Sequence, residues 1–214
     1  MDNFTAIFSV FSLLVLLFSV IIHELAHGSV AHSLGDPTAK YAGRLTLNPL
    51  KHLDLFGSIF LPLILFISGS PVLVGWAKPV PVNPYNFRDQ KWGSLKVSIA
   101  GPCANIALAI FFGLIIRFIP VEFFISDPRF TVMHSFILRI VEINLMLAIF
   151  NLIPIPPLDG SWILLSFFPQ GFDKTKLFLQ QYGILILIFF IFFGGLQALG
   201  QVIRFLYYLI IGSQ

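Results

Sequence analysis

The most constraining feature of this sequence is an uncharged run at residues 4–22 that continues directly into the motif H-E-L-A-H at residues 23–27. A run of this length is enough for a helix to cross the hydrocarbon core of a bilayer. Because residues four apart lie on one helix face, His23 and His27 can hold the same metal ion, with Glu24 beside them as a general base. An ionised group at mid-bilayer costs about 2.5–3.5 kcal/mol on insertion scales, so these residues indicate a function.

The composition is that of a membrane protein, since 57% of the residues are hydrophobic and only 11% are charged. A typical soluble domain carries about 25% charged residues. We therefore expect a single integral membrane domain over residues 1–214, with a core at about 4–168 and a C-terminal helix or helix pair at 175–211. The net charge of +3 does not indicate a nucleic-acid partner, and the single cysteine, Cys103, excludes an internal disulfide.

Hydropathy together with the placement of glycine and proline predicts an all-α polytopic membrane protein. The predicted helices cover residues 4–34, 96–117, 130–150 and 177–211. The last of these is expected to bend or divide at Gly194, Gly195 or Gly200. The prolines at positions 79, 81 and 84 exclude a helix, so residues 75–83 are expected to be extended.

The distribution of basic residues predicts the topology. Lys40, Arg44 and Lys51 follow the first helix, and residues 78–96 carry four more basic side chains. Both loops are therefore expected in the cytoplasm, which makes the uncharged residues 55–77 a re-entrant hairpin that turns at 68–71. This topology places the metal-binding motif in the cytoplasmic leaflet. The compact chain suits a multi-pass protein of a prokaryotic plasma membrane.

A catalytic zinc site commonly has three protein ligands and an open position, so a third ligand is needed. The candidates are His32, Asp36, His52, Asp54, Glu122, His134, Glu142 and Asp159. His32 is about half a turn out of phase with His23, and Glu142 has Arg139 three residues earlier as an ion-pair partner. Asp159 directly follows a proline-rich stretch that suits a rigid loop inside a helix packing, and we favour it. A role for Asp159 in capping the next helix is the alternative.

Three blocks of the sequence together resemble the site-2 protease family of intramembrane zinc metalloproteases, peptidase M50. They are H-E-L-A-H-G at 23–28, A-G-P-C-A-N at 100–105 and N-L-I-P-I-P-P-L-D-G at 151–160. The stretch at residues 75–83 resembles the sequences of a compact branch of that family, a branch without PDZ or CBS domains. The resemblance implies that His23, His27 and Asp159 bind one Zn²⁺ per chain and that Glu24 is the catalytic acid and base. Ser161 stands where the family often has a second glycine.

Two asparagines are further candidates. Asn105 and Asn151 are expected to contact the oxyanion or the substrate backbone, although an asparagine in a membrane helix also serves as interhelical contact or helix cap. The expected function is hydrolysis of a peptide bond within or near a transmembrane helix of a protein substrate, in the bilayer. A separate adaptor for substrate selection is a further expected partner. The alternatives are a catalytically silent zinc-binding scaffold and a metal-ion transporter.

Overall fold

The computed structural model describes residues 3–60, 64, 67–68, 78–169 and 172–212. Over these residues the chain is helical and has no strand, and four helical stretches are long and apolar enough to cross a membrane. The predicted all-α polytopic class is therefore confirmed. The predicted hairpin at 55–77 begins with a helical turn at Leu55–Phe60, and most of its remaining length lies outside the described residues.

The four long helical stretches begin and end within a few residues of the predicted positions. The helices are α1 (Asn3–Ser33), α2 (Thr38–Tyr41), α3 (Gly93–Phe118), α4 (Val121–Ile125), α5 (Pro128–Asn151), α6 (Asp159–Ser166), α7 (Asp173–Phe190) and α8 (Leu196–Ile211). The short helices α2, α4 and α6 lie outside the predicted ranges. Single 3₁₀ turns lie at Pro49–Lys51 and Pro84–Asn86. The described residues 78–83 form neither helix nor strand, as the prolines predict.

Helices α1 and α5 run in the same direction. The ring of Phe11 stacks on that of Phe136 with centroids 4.2 Å apart, and Arg139 Nε donates to Ser12 Oγ at 3.1 Å. A residue further along α1 thus contacts a residue further along α5. Both helices therefore enter the bundle at one end and reach the other end in parallel.

Helix α3 runs against them. His23 contacts Asn105, whereas His27, further along α1, contacts Val97, which lies earlier in α3. The end of α1 and the start of α3 consequently lie at the same end of the bundle. Residues 34–92 therefore leave and re-enter the bundle at that end, which we call the site end.

The largest apolar core lies in the other half of the bundle, around the C-terminal half of α3. Its buried residues are Ala109, Ile116, Phe124, Val141, Leu145 and Ile211. They come from α3, α4, α5 and α8, so four helices are joined there by apolar packing. The N-terminal half of α3 is left for the polar contacts described below.

The C-terminal segment is divided at one of the predicted glycines. Gly194 has a φ of 92°, which separates α7 from α8. Helix α8 packs along α3 and ends beside it, where Arg117 Nη1 donates to the Leu209 carbonyl at 2.8 Å. Helix α7 leaves much of its apolar surface exposed, including Leu177, Ile184 and Phe189.

Candidate metal centre

Three side-chain atoms from two distant parts of the chain converge at the site end. The Nε2 atoms of His23 and His27 lie 3.0 Å apart. Asp159 Oδ2 is 3.0 Å from the first and 3.2 Å from the second. Both histidines are buried and Asp159 is partly buried. The structure thus brings together the two histidines of the motif and the aspartate predicted as third ligand.

The other nitrogen of each imidazole is occupied. His27 Nδ1 lies 2.7 Å from the Val97 carbonyl, and His23 Nδ1 lies 2.6 Å from Asn105 Oδ1. A carbonyl oxygen only accepts, so His27 carries its proton on Nδ1 and directs the lone pair of Nε2 at the centre. The contact of His23 is consistent with the same arrangement.

This donor set fits a zinc ion. With bonds of about 2.0–2.1 Å, the ligands of a tetrahedral site lie about 3.3 Å from one another, close to the 3.0–3.2 Å found here. Imidazole lone pairs and a carboxylate oxygen at such distances repel one another unless a proton or a metal cation lies between them. The donor set of two nitrogens and one oxygen is also that of known catalytic zinc sites.

Two glycines allow the helices to approach this closely. A Cβ atom at Gly101 of α3 would lie 2.6 Å from His23 Nε2 and closer still to His27 Nε2. A Cβ atom at Gly160 of α6 would overlap the carbonyl of Leu152. Any larger residue would push α3 away from the imidazoles, or α6 and its Asp159 away from the end of α5.

Glu24 lies beside the centre and is held by the extended chain. Its Oε2 accepts a hydrogen bond of 2.7 Å from the Val80 backbone N–H. Residues 78–86, which we call the strap, thus form one wall of a cavity of about 480 Å³. The cavity is lined in part by Glu24, His23, His27, Asp159, Asn151 and Trp162. A peptide bond placed in this cavity would meet both the candidate metal ligands and a carboxylate.

A fully buried carboxylate fixes the far end of the strap. Asp36 accepts hydrogen bonds from the Asn83 N–H at 2.7 Å and from Asn86 Nδ2 at 2.8 Å, and Thr38 donates to it as well. Burial alone would raise the pKa of Asp36, but these donated hydrogen bonds favour the carboxylate and hold its pKa below the usual value. The strap is therefore anchored to the end of α1 through a charged group.

The two candidate asparagines lie in different places. Asn151 lines the cavity, and its Nδ2 donates to the Leu147 carbonyl at 2.9 Å. Asn105 is fully buried behind His23 and bonds to that imidazole, to the Ser19 carbonyl and to Asn144. The prediction that Asn105 contacts an oxyanion does not match this position, because both ends of its amide are used inside the helix bundle.

Other predicted third ligands have partners elsewhere. Glu142 is paired with Arg139 at 2.6 Å, as its spacing predicted, and Asp36 belongs to the strap anchor. His52 Nε2 bonds to the Thr46 carbonyl at 2.8 Å. The N-cap of α6 is Leu158, and Asp159 is the first helical residue. Its Oδ2 faces His23 and His27, so helix capping alone does not account for it.

Sequence reasoning missed two groups that support the centre. Asn144 is a polar residue in an apolar helix, a signal as visible as that of Asn105. The Val97 carbonyl is a backbone atom, and nothing in the side-chain pattern marks it. Its role depends on where α3 crosses α1, which only the tertiary structure determines.

Comparisons with known sequences show which proteins this chain is similar to. The family model described as "Peptidase family M50" matches residues 11–142 and 120–194. The chain is 39% identical over 176 residues to "Putative zinc metalloprotease YwhC" of Bacillus subtilis, covering 82% of this chain and 77% of that protein.

Two more distant relatives carry similar names. "Putative zinc metalloprotease Rip2" of Mycolicibacterium smegmatis is 31% identical over 173 residues, and the match covers 80% of this chain but 62% of that protein. "Putative zinc metalloprotease MJ0611" of Methanocaldococcus jannaschii is 31% identical over 172 residues, and the match covers 76% of this chain and 73% of that protein. A comparison with solved structures gave no significant match.

Proposed function

This chain belongs to peptidase family M50, and on that premise we propose that it is an intramembrane zinc metalloendopeptidase. Its substrate is a membrane protein, cut within or near a transmembrane helix. The relatives are named as zinc metalloproteases, and the four candidate spans make this an integral membrane protein. One zinc ion per chain is held by His23, His27 and Asp159, with Glu24 as general base.

The observation that carries the proposal is the convergence of three ligand atoms within 3.2 Å of one another at the wall of a cavity. A structural zinc site has four protein ligands and is closed. Within the described residues, this group has three metal-ligating side chains. Three ligands beside a cavity favour catalysis over a purely structural site.

The residues divide the chemistry between them. Zinc, when bound, supplies a Lewis acid that polarises a carbonyl and lowers the pKa of water to about 7. Glu24 takes a proton from the attacking water and passes it to the leaving amine nitrogen. In the described part of the chain, the Val80 N–H binds one carboxylate oxygen of Glu24. The other oxygen is left for this proton transfer. Asn151 lines the cavity wall, which supports its proposed contact with the substrate backbone.

The substrate must be extended where it is cut, because a helix hides its carbonyls in backbone hydrogen bonds. The strap is proposed as the pairing partner, since alternate residues of an extended chain present their peptide groups on the same side. The Val80 N–H is already bound to Glu24, so the N–H available for pairing is that of Val82. Pro79 and Pro81 alternate with these two valines and have no N–H to leave unpaired. We expect the unwound substrate to pair with this edge, and a separate adaptor to select the substrate.

The site end is proposed to face the cytoplasm of a prokaryotic cell. Both ends of residues 34–92 lie there, and the positive-inside rule assigns their basic residues to that side. The centre then lies in the cytoplasmic leaflet, near the start of α3.

The decisive experiment compares wild type with Glu24→Gln in bilayers containing a labelled transmembrane peptide. We expect cleavage to fall at least about 100-fold, because general-base catalysis contributes that much, with bound zinc unchanged. Equal cleavage by both proteins would refute the role of Glu24. Bound zinc without cleavage by the wild type across a panel of peptides would indicate a scaffold, and zinc flux that survives Glu24→Gln would indicate a transporter.

A second experiment tests pairing with the strap. Val82→Pro removes one backbone N–H, whereas Val82→Ala keeps it and serves as the control. Loss of one hydrogen bond is worth about 1 kcal/mol, so we expect kcat/KM of the proline variant to be roughly five- to tenfold below that of the alanine variant. Equal values for the two variants would rule out pairing through Val82.

A further inference from the structure

Behind the candidate metal centre lies a pair of buried amides. Asn105 of α3 and Asn144 of α5 are both fully buried, and Asn105 Nδ2 donates to Asn144 Oδ1 at 2.9 Å. The described residues that line the cavity include neither of them. Burying amides in this way is costly unless every hydrogen-bonding atom has a partner, so their partners indicate what the pair does.

Two backbone carbonyls determine which way each amide points. Asn144 Nδ2 lies 2.9 Å from the Ile140 carbonyl, and Asn105 Nδ2 lies 3.2 Å from the Ser19 carbonyl. A carbonyl oxygen only accepts hydrogen bonds, so the amide group that faces it must be the NH₂. Neither asparagine can be rotated by 180° without placing oxygen against oxygen. The orientation therefore follows from the backbone and not from assigned hydrogen positions.

The orientation of Asn105 in turn determines the proton on His23. With its NH₂ facing Ser19 and Asn144, Asn105 presents Oδ1 to His23 Nδ1 at 2.6 Å. A neutral His23 must therefore donate from Nδ1 and keep a lone pair on Nε2, the atom that faces His27 and Asp159. The other tautomer, with its proton on Nε2, would direct an N–H at the centre and could not bind a metal there.

We propose that Asn144 and Asn105 form a directional relay that fixes the tautomer and orientation of His23, so that both are positioning residues for the metal centre. The inference rests on the proposed function only in that the centre binds zinc. It gives Asn105 a role other than contact with an oxyanion. It also assigns a role to Asn144, whose side chain bonds to Asn105 and to the Ile140 carbonyl and not to any of the three candidate ligands. Outer partners of this kind typically change metal affinity by about 10–100-fold.

The first test is a matched pair at position 105, measured as the zinc Kd of the full-length purified protein in competition with a chelating dye. Asn105→Leu removes the acceptor of His23, and we expect zinc to bind about 10–100-fold more weakly. Asn105→Asp keeps an acceptor for His23 but loses the hydrogen bonds donated to the Ser19 carbonyl and to Asn144 Oδ1. We expect it to lower the stability of the metal-free protein while holding zinc within about threefold of wild type.

A merely structural role makes a different prediction for this pair. Both variants would then lose zinc affinity in step with stability, and the leucine, which buries no charge, would lose less. Equal loss in both, or wild-type affinity in Asn105→Leu, would overturn the proposal.

The second test addresses Asn144. Asn144→Leu is expected to weaken zinc binding about three- to tenfold, less than Asn105→Leu, because Ser19 still orients Asn105. Asn144→Asp keeps the acceptor for Asn105, so its zinc affinity should be much closer to that of the wild type. The control is Val141→Ala, one turn away on α5 in the apolar core. It should cost stability without changing zinc affinity, and the same behaviour in Asn144→Leu would overturn the role of Asn144.

A third measurement needs no zinc. Nitrogen-15 and carbon-13 spectra of histidine-labelled, metal-free protein distinguish the two imidazole tautomers, with the His23 signal identified from a His23→Gln spectrum. The relay requires the Nδ1–H form in wild type and in Asn105→Asp, and a mixture in Asn105→Leu. The Nε2–H form in wild type would overturn the relay even if the protein binds zinc and cleaves its substrate.

Discussion

The site end of α1 and the start of α7 both place polar side chains in apolar helices, but they use them differently. On α1, His23 and His27 bond to α3 and to Asp159, and Glu24 bonds to the strap. On α7, Asp173 and Lys174 are exposed and Lys176 is partly exposed, and no ion pair joins them to another described residue. The contrast shows that polarity in a membrane helix marks a site when several helices supply partners for it.

The largest effect should come from comparing two aspartates that each begin a helix, Asp159 of α6 and Asp173 of α7. Asp159→Ala removes a proposed ligand, and we expect zinc affinity to fall more than about 100-fold, beyond the loss of an outer partner. Asp173→Ala should cost only the helix-dipole contribution of about 0.3–1 kcal/mol in stability. Zinc competition and unfolding of both variants check this. Similar small effects would reduce Asp159 to a helix-start residue.

A smaller effect is expected from two glycines. Gly101→Ala would place a methyl group against both imidazoles, whereas a Cβ at Gly200 of α8 meets nothing within 4 Å. We expect Gly101→Ala to cost about 1–3 kcal/mol by overpacking and to weaken zinc binding. Gly200→Ala should stabilise its helix by about 0.5–1 kcal/mol and leave zinc binding unchanged. If Gly101→Ala bound zinc normally, the close approach of α3 would not be needed.

A last comparison concerns two carboxylates with lowered pKa values, the buried Asp36 and the more exposed Asp127, which is paired with Arg129. Asp36→Asn should cost about 1–3 kcal/mol at neutral pH, because the Asn83 N–H loses its charged acceptor. Asp127→Asn should cost less, since its ion pair is at the surface.

The pH dependence of the Asp36 effect has a definite sign. A carboxylate whose pKa is lower in the folded state stabilises the fold above its unfolded pKa of about 3.9, and loses that contribution as the pH falls through the folded value. The stability difference between wild type and Asp36→Asn should therefore shrink below about pH 4. A difference that stays constant down to pH 2 would mean that Asp36 acts without its charge.

Much of the fold followed from the sequence, because length and hydropathy are local properties. The helix at 96–117 appears as Gly93–Phe118 and that at 130–150 as Pro128–Asn151. The glycine break in the last segment falls at Gly194, since only that position has a positive φ there. The predicted turn at 68–71, the single-domain organisation and the cytoplasmic location stay predictions.

The site was harder to predict in detail. Residue types and helical phase indicated which side chains could face one another, and the structure brings His23, His27 and Asp159 together. The hydrogen bond from Val80 to Glu24 joins a backbone group to a side chain 56 positions away, and no local pattern encodes it. Asn105 and Asn144 could be recognised as polar residues in apolar helices, but their direction depends on carbonyls of other helices.

The shared direction of α1 and α5, with α3 opposed, has a consequence for experiments on orientation. Since residues 34–92 leave and return at one end of the bundle, any path they take between those points crosses the bilayer an even number of times. Reporter tags inserted at Gly43 and at Gln90, both exposed, must therefore give the same answer in any cell and for either insertion of the protein. A pair of tags that disagreed would contradict the helix directions themselves, whereas a pair that agreed would reveal which compartment the site end faces.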